Sequence, residues 1–339
     1  MPDGRPAVRP RIGIADPSDV VRRATRAVGR PVRDLAPLPG GNSSLTYAAT
    51  IDAAVRVVVK VAPPGLPPVR NRDVLRQARA LTALAEVTDV AVPEVLGTDP
   101  GTPPDVPPLF VMSFADGESY EPRHTALAQR PPATEVRGRA AAAARMLAAL
   151  HAVGAAELGI DEEAVSPRAE VERWRAALAT CELEPAATTA AAECLRRLTE
   201  ALPAPLTPAV LHGDWRLGNM QCVGTGIRAV IDWEIWSVGD PRLDLAWLRL
   251  MSDPGHPTAV APDAPTLEPD ELLAVYESAS GAPVAELDWF DALVRYKQAA
   301  ASALLVKNAV RRDQVTERVK QMRHGIPLLL TAALTRLTR

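Results

Sequence analysis

Aromatic residues are scarce in this chain: Phe, Trp and Tyr together make up 4% of its 339 residues. A protein that stacks unpaired bases needs a platform of such rings, so that class is disfavoured. An excess of positive charge is missing too. The net charge is −3, whereas a protein held to nucleic acid by phosphate contacts carries a strong basic field. Cysteine is limited to Cys181, Cys194 and Cys222. Odd in number and scattered, they match neither a disulfide framework nor a metal-binding spacing, and read as small buried thiols in a reducing compartment. No apolar run approaches the roughly 18 residues needed to cross a bilayer. The best candidate, Ile326–Leu334, is far too short. The basic start, residues 1–19, lacks the apolar stretch of a secretory signal. A cytoplasmic protein with no nucleic-acid or membrane partner is expected.

Lysine is the last scarcity, and it is informative. Only 4 of the 38 basic residues are lysine: Lys60, Lys297, Lys307 and Lys320. Lys60 lies inside Val57-Val58-Val59-Lys60-Val61, a run with the pattern of a buried strand. A compact ammonium in such a strand calls for an anionic partner. The plainer alternative is an edge-strand lysine that snorkels to solvent.

What the chain does have is a globular composition, 47% apolar and 23% charged, and enough length for one large domain or two lobes. Residues 1–34 read as a loose leader and a short helix, Val20–Val28, opened by Ser18 or Asp19. Strands are expected at Leu35–Leu38, Ser44–Ile51, Val55–Ala62, Val92–Leu96 and Leu109–Phe114, with one helix at Asp73–Glu86 among them. From Thr134 onward the pattern is mainly helical: Thr134–Val153, Val171–Ala179, Pro185–Leu202, Asp240–Met251, Pro269–Ser280, Glu286–Arg311, and a last helix opened by Pro327. Short strands at Ala209–Leu211 and Ile227–Ile231 interrupt it. The sum is an α+β chain, a small sheet lobe at 35–114 and a larger, mainly helical lobe at 115–339.

The densest signal is Val210–Glu234. It holds His212-Gly213-Asp214, then Asn219 five residues on, then Asp232 at the end of an apolar run. In protein kinases a catalytic-loop aspartate is likewise followed five residues later by a metal-binding asparagine, and a second metal-binding aspartate comes on the next strand. Phosphoryl transfer needs a positioned acceptor and divalent cations rather than covalent help from the protein. Magnesium prefers oxygen ligands and takes one or two carboxylates besides phosphate oxygens. Asn219 and Asp232 suit that role, and Asp214 suits acceptance or orientation of a hydroxyl proton. Upstream, Gly40-Gly41-Asn42-Ser43-Ser44 joins two expected strands, and glycines there let backbone N–H groups approach phosphate. His212 reads as scaffold for the loop and His151 as a packed or capping histidine. Asp240 reads as a helix cap. Asp244 reads as an acceptor for the loop's backbone N–H groups.

These residues resemble the aminoglycoside phosphotransferase and choline kinase-like superfamily, whose fold is similar to that of protein kinases, over roughly residues 35–310. The resemblance implies a bilobal protein kinase-like fold with ATP and Mg2+ as cofactors. It implies that Pro39–Tyr47, with Gly40, Gly41, Asn42, Ser43 and Ser44, covers the nucleotide phosphates and that Lys60 binds them. Met112 to Phe114 would be the hinge against adenine, Asp214 the catalytic base, Asn219 and Asp232 the magnesium ligands, and Asp244 structural. Lys60–Gly65, Phe110-Val111-Met112 and His212–Asn219 look most like the kinase-like domains associated with acyl-CoA dehydrogenases, a branch whose activity is phosphorylation of hydroxyacyl-CoA. One departure stands out: Gln77 occupies the place of the glutamate that normally pairs with the lysine, with Asp73 one turn earlier as a substitute.

The resulting expectation is ATP-dependent O-phosphorylation of a small hydroxylated acceptor. A polycationic, aminoglycoside-like acceptor would want an acidic cleft, for which Asp270, Glu271, Glu277, Asp288 and Asp291 are candidates. A hydroxyacyl-CoA would want arginines such as Arg295, Arg311 and Arg312. A nucleotide-binding pseudokinase scaffold is the alternative from another class. The oligomeric state is not legible.

Overall fold

The computed structural model describes residues 16–38, 44–52, 54–87, 89–122, 130–259 and 264–338. They fall into two compact units. One takes the chain up to Glu86 with Val92–Ala115 and Trp233–Ile235, and the other takes Val87–Ala91, Asp116–Asp232 and everything from Trp236.

The first unit is built on a five-stranded antiparallel sheet. Its strands are β1 (Val32–Pro37), β2 (Leu45–Ile51), β3 (Val55–Val61), β4 (Val95–Asp99) and β5 (Leu109–Ser113), in the order β1-β2-β3-β5-β4. The central strand β3 is hydrogen-bonded on both sides, and Val57 to Val61 are buried without a break. Alternation then sorts its residues by face. Val57, Val59 and Val61 join a core with Val20 and Ala24 of helix α1 (Pro17–Val28), so Lys60 belongs to the opposite face. Helix α1 begins three residues before the expected start. Asp16, not Ser18 or Asp19, caps it by accepting from the Ser18 N–H at 3.0 Å. Pro17 takes the first turn, where its missing N–H removes no helical bond. At Gly97 of β4 a Cβ would lie 2.2 Å from the Ala27 carbonyl oxygen, so the close seating of α1 on the sheet needs glycine there. Buried Arg23 locks the same contact, donating to Asp99 Oδ2 at 3.0 Å and to the Pro107 carbonyl at 2.8 Å. Helix α2 (Val74–Val87) follows, its start capped by Asp73 Oδ1, which accepts from the N–H groups of Leu75 and Arg76 at 3.0 Å each.

The second unit is mainly helical: α3 (Ala133–His151), α4 (Pro167–Leu178), α5 (Pro185–Glu200), α6 (Arg242–Ser252), α7 (Pro269–Ser280), α8 (Leu287–Arg311) and α9 (Glu317–Arg336). Two short ribbons lie between α5 and α6, β6 (Ala209–Leu211) paired with β9 (Ser237–Gly239) and β7 (Met220–Val223) paired with β8 (Gly226–Val230). Proline opens α4, α5 and α7 as a first-turn residue. It does not open α9. Pro327 sits inside that helix, which starts ten residues earlier at a Thr316 cap that accepts from the Val319 N–H at 3.4 Å. Helix α6 is buried from Arg242 to Ser252, so each of its charged side chains requires a partner. Arg242 pairs with Asp240 at 2.7 Å and Arg249 with Asp291 at 3.1 Å. Among the described residues no helix is long and apolar enough to cross a membrane.

His151, at the end of α3, meets the Tyr276 hydroxyl of α7 through Nδ1 at 2.9 Å, and its Nε2 is buried. Burial pushes its pKa down to about 3. The folded chain therefore holds the ring neutral, while the unfolded chain protonates it below about pH 6.5. Stability from this group is fully present above about pH 6.5 and is lost as pH falls toward the folded value. At pH 5, His151→Gln is expected to lower the proton uptake on unfolding by close to one proton, measured by calorimetry in buffers of different ionisation enthalpy. Unchanged uptake would mean that the ring is already charged in the fold.

Candidate active site

The second unit gathers most of the candidate chemistry in the loop between β6 and β7. Asp244, one turn into α6, is the anchor. Its two oxygens accept the backbone N–H groups of His212 at 2.6 Å and Gly213 at 2.9 Å, the role expected from sequence. Burial raises its pKa. The charge of Lys297 and the two backbone bonds work against that rise. His212 is fully buried and is scaffold, also as expected. Its Nδ1 accepts from the Asp214 N–H at 3.1 Å, so the ring proton lies on Nε2, which donates to the Ile231 carbonyl at 2.9 Å. Trp215 turns inward and donates Nε1–H to the Ala143 carbonyl of α3 at 3.1 Å.

This scaffold presents Asp214. Its Oδ1 accepts from Trp247 Nε1 at 2.7 Å, and its Oδ2 accepts from Asn219 Nδ2 at 2.8 Å and Arg216 Nε at 3.0 Å. Burial of the carboxylate works to raise its pKa. The charge of Arg216 and the bonds from Trp247 and Arg216 outweigh it, and the net direction is down. Asp214 is therefore ionised at neutral pH and held by three donors, which favours orienting a hydroxyl over stripping it early. Arg216 is itself shared, reaching Glu121 Oε2 at 2.7 Å.

Asn219, 4% exposed, spends its amide nitrogen on Asp214. That leaves Oδ1, the only atom of an amide side chain that ligates a hard cation. Its backbone carbonyl accepts from the Ile231 N–H at 2.8 Å, which ties it to the residue before Asp232. Asp232 adopts a left-handed backbone, φ 68° and ψ 51°, and its side chain makes no capping bond to the turn that follows. Such strain persists where the surroundings impose it and collects at functional sites. Among the described residues no group of three or more His, Cys, Asp or Glu side chains is arranged to hold a metal ion by itself. A magnesium site completed by phosphate oxygens needs only one or two carboxylates, so this donor set fits.

A cavity of about 260 Å3 opens beside Asp214. Trp247 and Met251 of α6, Leu305 of α8 and Arg318 and Met322 of α9 contribute to its wall. None of the acidic candidates Asp270, Glu271, Glu277, Asp288 or Asp291 lines it. Asp291 is instead buried against Arg249, and Glu271 closes the capping box of α7. Of the arginine candidates, Arg295 pairs with Asp253 at 3.5 Å, and Arg311 lines a different cavity, of about 500 Å3.

In the first unit, Lys60 is 7% exposed and donates to Gln77 Oε1 at 2.9 Å. The glutamine thus stands where the pairing glutamate was missed, while Asp73 serves as a helix cap. Ser44 is buried where β2 begins, and its hydroxyl meets no partner among the described residues. Gly40, Gly41, Asn42 and Ser43 lie outside the described residues. Met112 pairs with Val58 across β5 and β3. Phe114 follows, with the Arg56 guanidinium 4.0 Å from its ring centroid. Trp247, Arg216 and Glu121 were not singled out from sequence. Trp247 had a faint signal, three residues after Asp244 on the same helical face.

The model of the phosphotransferase enzyme family matches residues 34–281. The chain belongs to that family. It is 28% identical over 277 residues to the probable acyl-CoA dehydrogenase IBR3 of Arabidopsis thaliana, a match covering 74% of this chain and 33% of that protein. The chain thus spans about a third of the length of that curated relative. Among solved structures, a Ralstonia eutropha protein provisionally named an aminoglycoside phosphotransferase is similar with TM-score 0.77 at 18% identity, over 95% of this chain and 98% of that one. Macrolide 2'-phosphotransferase MphH of Brachybacterium faecium gives 0.58 at 20% identity over 91% and 97%. A thermostable mutant of aminoglycoside phosphotransferase APH(4)-Ia, crystallised with ADP and hygromycin B, gives 0.60 at 16% over 93% and 98%. The chain has the bilobal kinase-like fold of these enzymes.

Asp244→Asn turns one buried acceptor oxygen into a donor facing a backbone N–H. The expected cost is about 1–3 kcal/mol, seen as a fall of several degrees in the calorimetric midpoint. An unchanged midpoint would mean that the loop does not depend on this carboxylate.

Proposed function

We propose that this phosphotransferase moves the terminal phosphoryl group of ATP, with magnesium, to a hydroxyl of a small molecule. The observation that carries the reading is Asp214, ionised, held by three donors and set in the wall of a cavity. Asp214 receives the hydroxyl proton as the new bond to phosphorus forms. Trp247 and Asn219 fix the direction of its two oxygens. Asn219 and Asp232 would hold magnesium, which when bound neutralises charge on the phosphate oxygens. Lys60 binds the nucleotide phosphates, assisted by Gly40, Gly41, Asn42, Ser43 and Ser44, and Met112 to Phe114 borders the adenine. Gln77 accepts from Lys60 at 2.9 Å in the place of the pairing glutamate, which weakens the argument for a pseudokinase scaffold.

The acceptor reading turns on the cavity. Among its described lining residues the only acid is Asp214 itself, while Arg216 and Arg318 are cationic and Trp247, Met251, Leu305 and Met322 are apolar. A polycation finds little to bind there. An acceptor with an apolar body and an anionic or neutral head fits better, which favours a hydroxyacyl-CoA over an aminoglycoside.

The test is ADP release with Mg·ATP across a panel of hydroxyacyl-CoAs and aminoglycosides, run beside Asp214→Asn. Release is expected with hydroxyacyl-CoAs and a loss of about 10²-fold or more in the variant. Turnover of the variant within about threefold of the parent would remove Asp214 as the base. Release with aminoglycosides alone would overturn the acceptor class.

A further inference from the structure

We propose that Lys297 is a positioning residue for phosphoryl transfer, fixing the Asp214 carboxylate through Trp247 and Gly213; this rests on the reading of Asp214 as the base. Lys297 is one of four lysines in a chain that otherwise uses arginine. It lies on α8, far in sequence from the loop it serves. Its Nζ donates to the Gly213 carbonyl at 3.0 Å, the residue directly before Asp214. The same ammonium stands 4.5 Å from the ring centroid of Trp247. That indole is the group whose Nε1–H donates to Asp214 Oδ1 at 2.7 Å. A second indole, Trp174, lies 5.8 Å from the ammonium and is pinned in turn by its bond to Glu170 Oε1 at 2.7 Å.

The chemistry of this arrangement suits a lysine. Among the described residues no carboxylate forms an ion pair with Lys297; its ammonium contacts one carbonyl and two ring faces, and its charge also reaches buried Asp244, which holds the N–H side of the same Gly213. A point charge with donors on a flexible stem enters such a slot, whereas a flat guanidinium fork is built for two-oxygen partners. Gly213 has a left-handed backbone, φ 84°, and its N–H is already held by Asp244. The bond from Lys297 holds the other polar atom of that residue and so sets the peptide that leads into Asp214. The cation over Trp247 attracts the ring face and fixes the indole's tilt. The direction of the Nε1–H toward Oδ1 follows from that tilt. One ammonium thus sets both the chain position and a side-chain donor of Asp214, and a displacement of about 1 Å at a reacting group can cost 10²-fold in rate.

The deciding experiment needs no acceptor. Exchange of the Trp247 indole proton with water is followed by NMR, its resonance assigned by loss in Trp247→Phe. In Lys297→Met that proton is expected to exchange about tenfold faster or more, as its bond to Asp214 loosens, and Lys297→Arg should recover only part of the protection. With any acceptor that supports ADP release, Lys297→Met should lower kcat and leave the KM for ATP unchanged. The losses from Lys297→Met and Trp247→Phe should not add, because both act on one bond. Parent-like exchange in Lys297→Met, or strictly additive losses, would overturn the proposal. If Lys297→Met does not fold, the exchange rate in Lys297→Arg decides in the same way. Asp214→Asn separates the two ideas: full turnover in that variant sinks the base assignment, while the indole exchange still reports on Lys297.

Discussion

The candidate active region depends on one buried carboxylate. Asp244 takes two consecutive backbone N–H groups, those of His212 and Gly213, out of any competition with water. That commitment sets the start of the loop. His212 then bonds forward to Asp214 and across to Ile231, so the loop and the segment carrying Asp232 share one histidine. Remove the carboxylate and both segments lose their common reference. Its raised pKa is the energetic sign of that burial, and the two backbone N–H groups it accepts work against the rise.

Much of this was legible in the sequence because it was local. The spacing from Asp214 to Asn219 and the apolar run ending at Asp232 survive into the structure as neighbouring elements joined by the Ile231 to Asn219 bond. The Val-rich strand around Lys60 and the helix that brings Gln77 to it were equally readable, since strand alternation and helical period fix both positions. The side-chain set around Asp214 was not. Trp247 is 33 positions from Asp214, Lys297 is 84 from Gly213, and Glu121 is 95 from Arg216. Packing of α6 and α8 decides the first two meetings, the pairing of Glu118 with Cys222 of β7 brings the segment of the third, and no periodicity encodes them. Proline was misread at one point. A Pro that opens α1, α4, α5 and α7 is a sound start signal, yet at Pro327 the Thr316 cap and the buried run Leu329, Leu330 and Ala333 carry the helix through it.

The balance of charges around the cavity follows the same division between local and packed. Acidic residues on α7 and α8 look in sequence like material for a cation-binding cleft. In the fold they are consumed: Asp291 by Arg249, Glu271 by its capping box and Arg137. Charge counted along a helix says little about charge presented to a site, because buried arginines claim their partners first.

Pro327 has a consequence for how the pocket can change over generations. Lacking an N–H, it leaves the Arg323 carbonyl without its helical bond inside the continuous helix α9. The later half is locked in the interior by Leu329, Leu330 and Ala333. The earlier half carries Arg318, Gln321 and Met322 to the cavity. Substitutions in that earlier half alter what the cavity admits while the interior half stays as it is. Packing constraint thus begins just before Pro327, at buried Gly325 and Ile326, and the exposed or half-buried positions ahead of them, Arg318, Gln321 and Met322, are the ones where sequence can vary at the cavity wall with least cost to the interior.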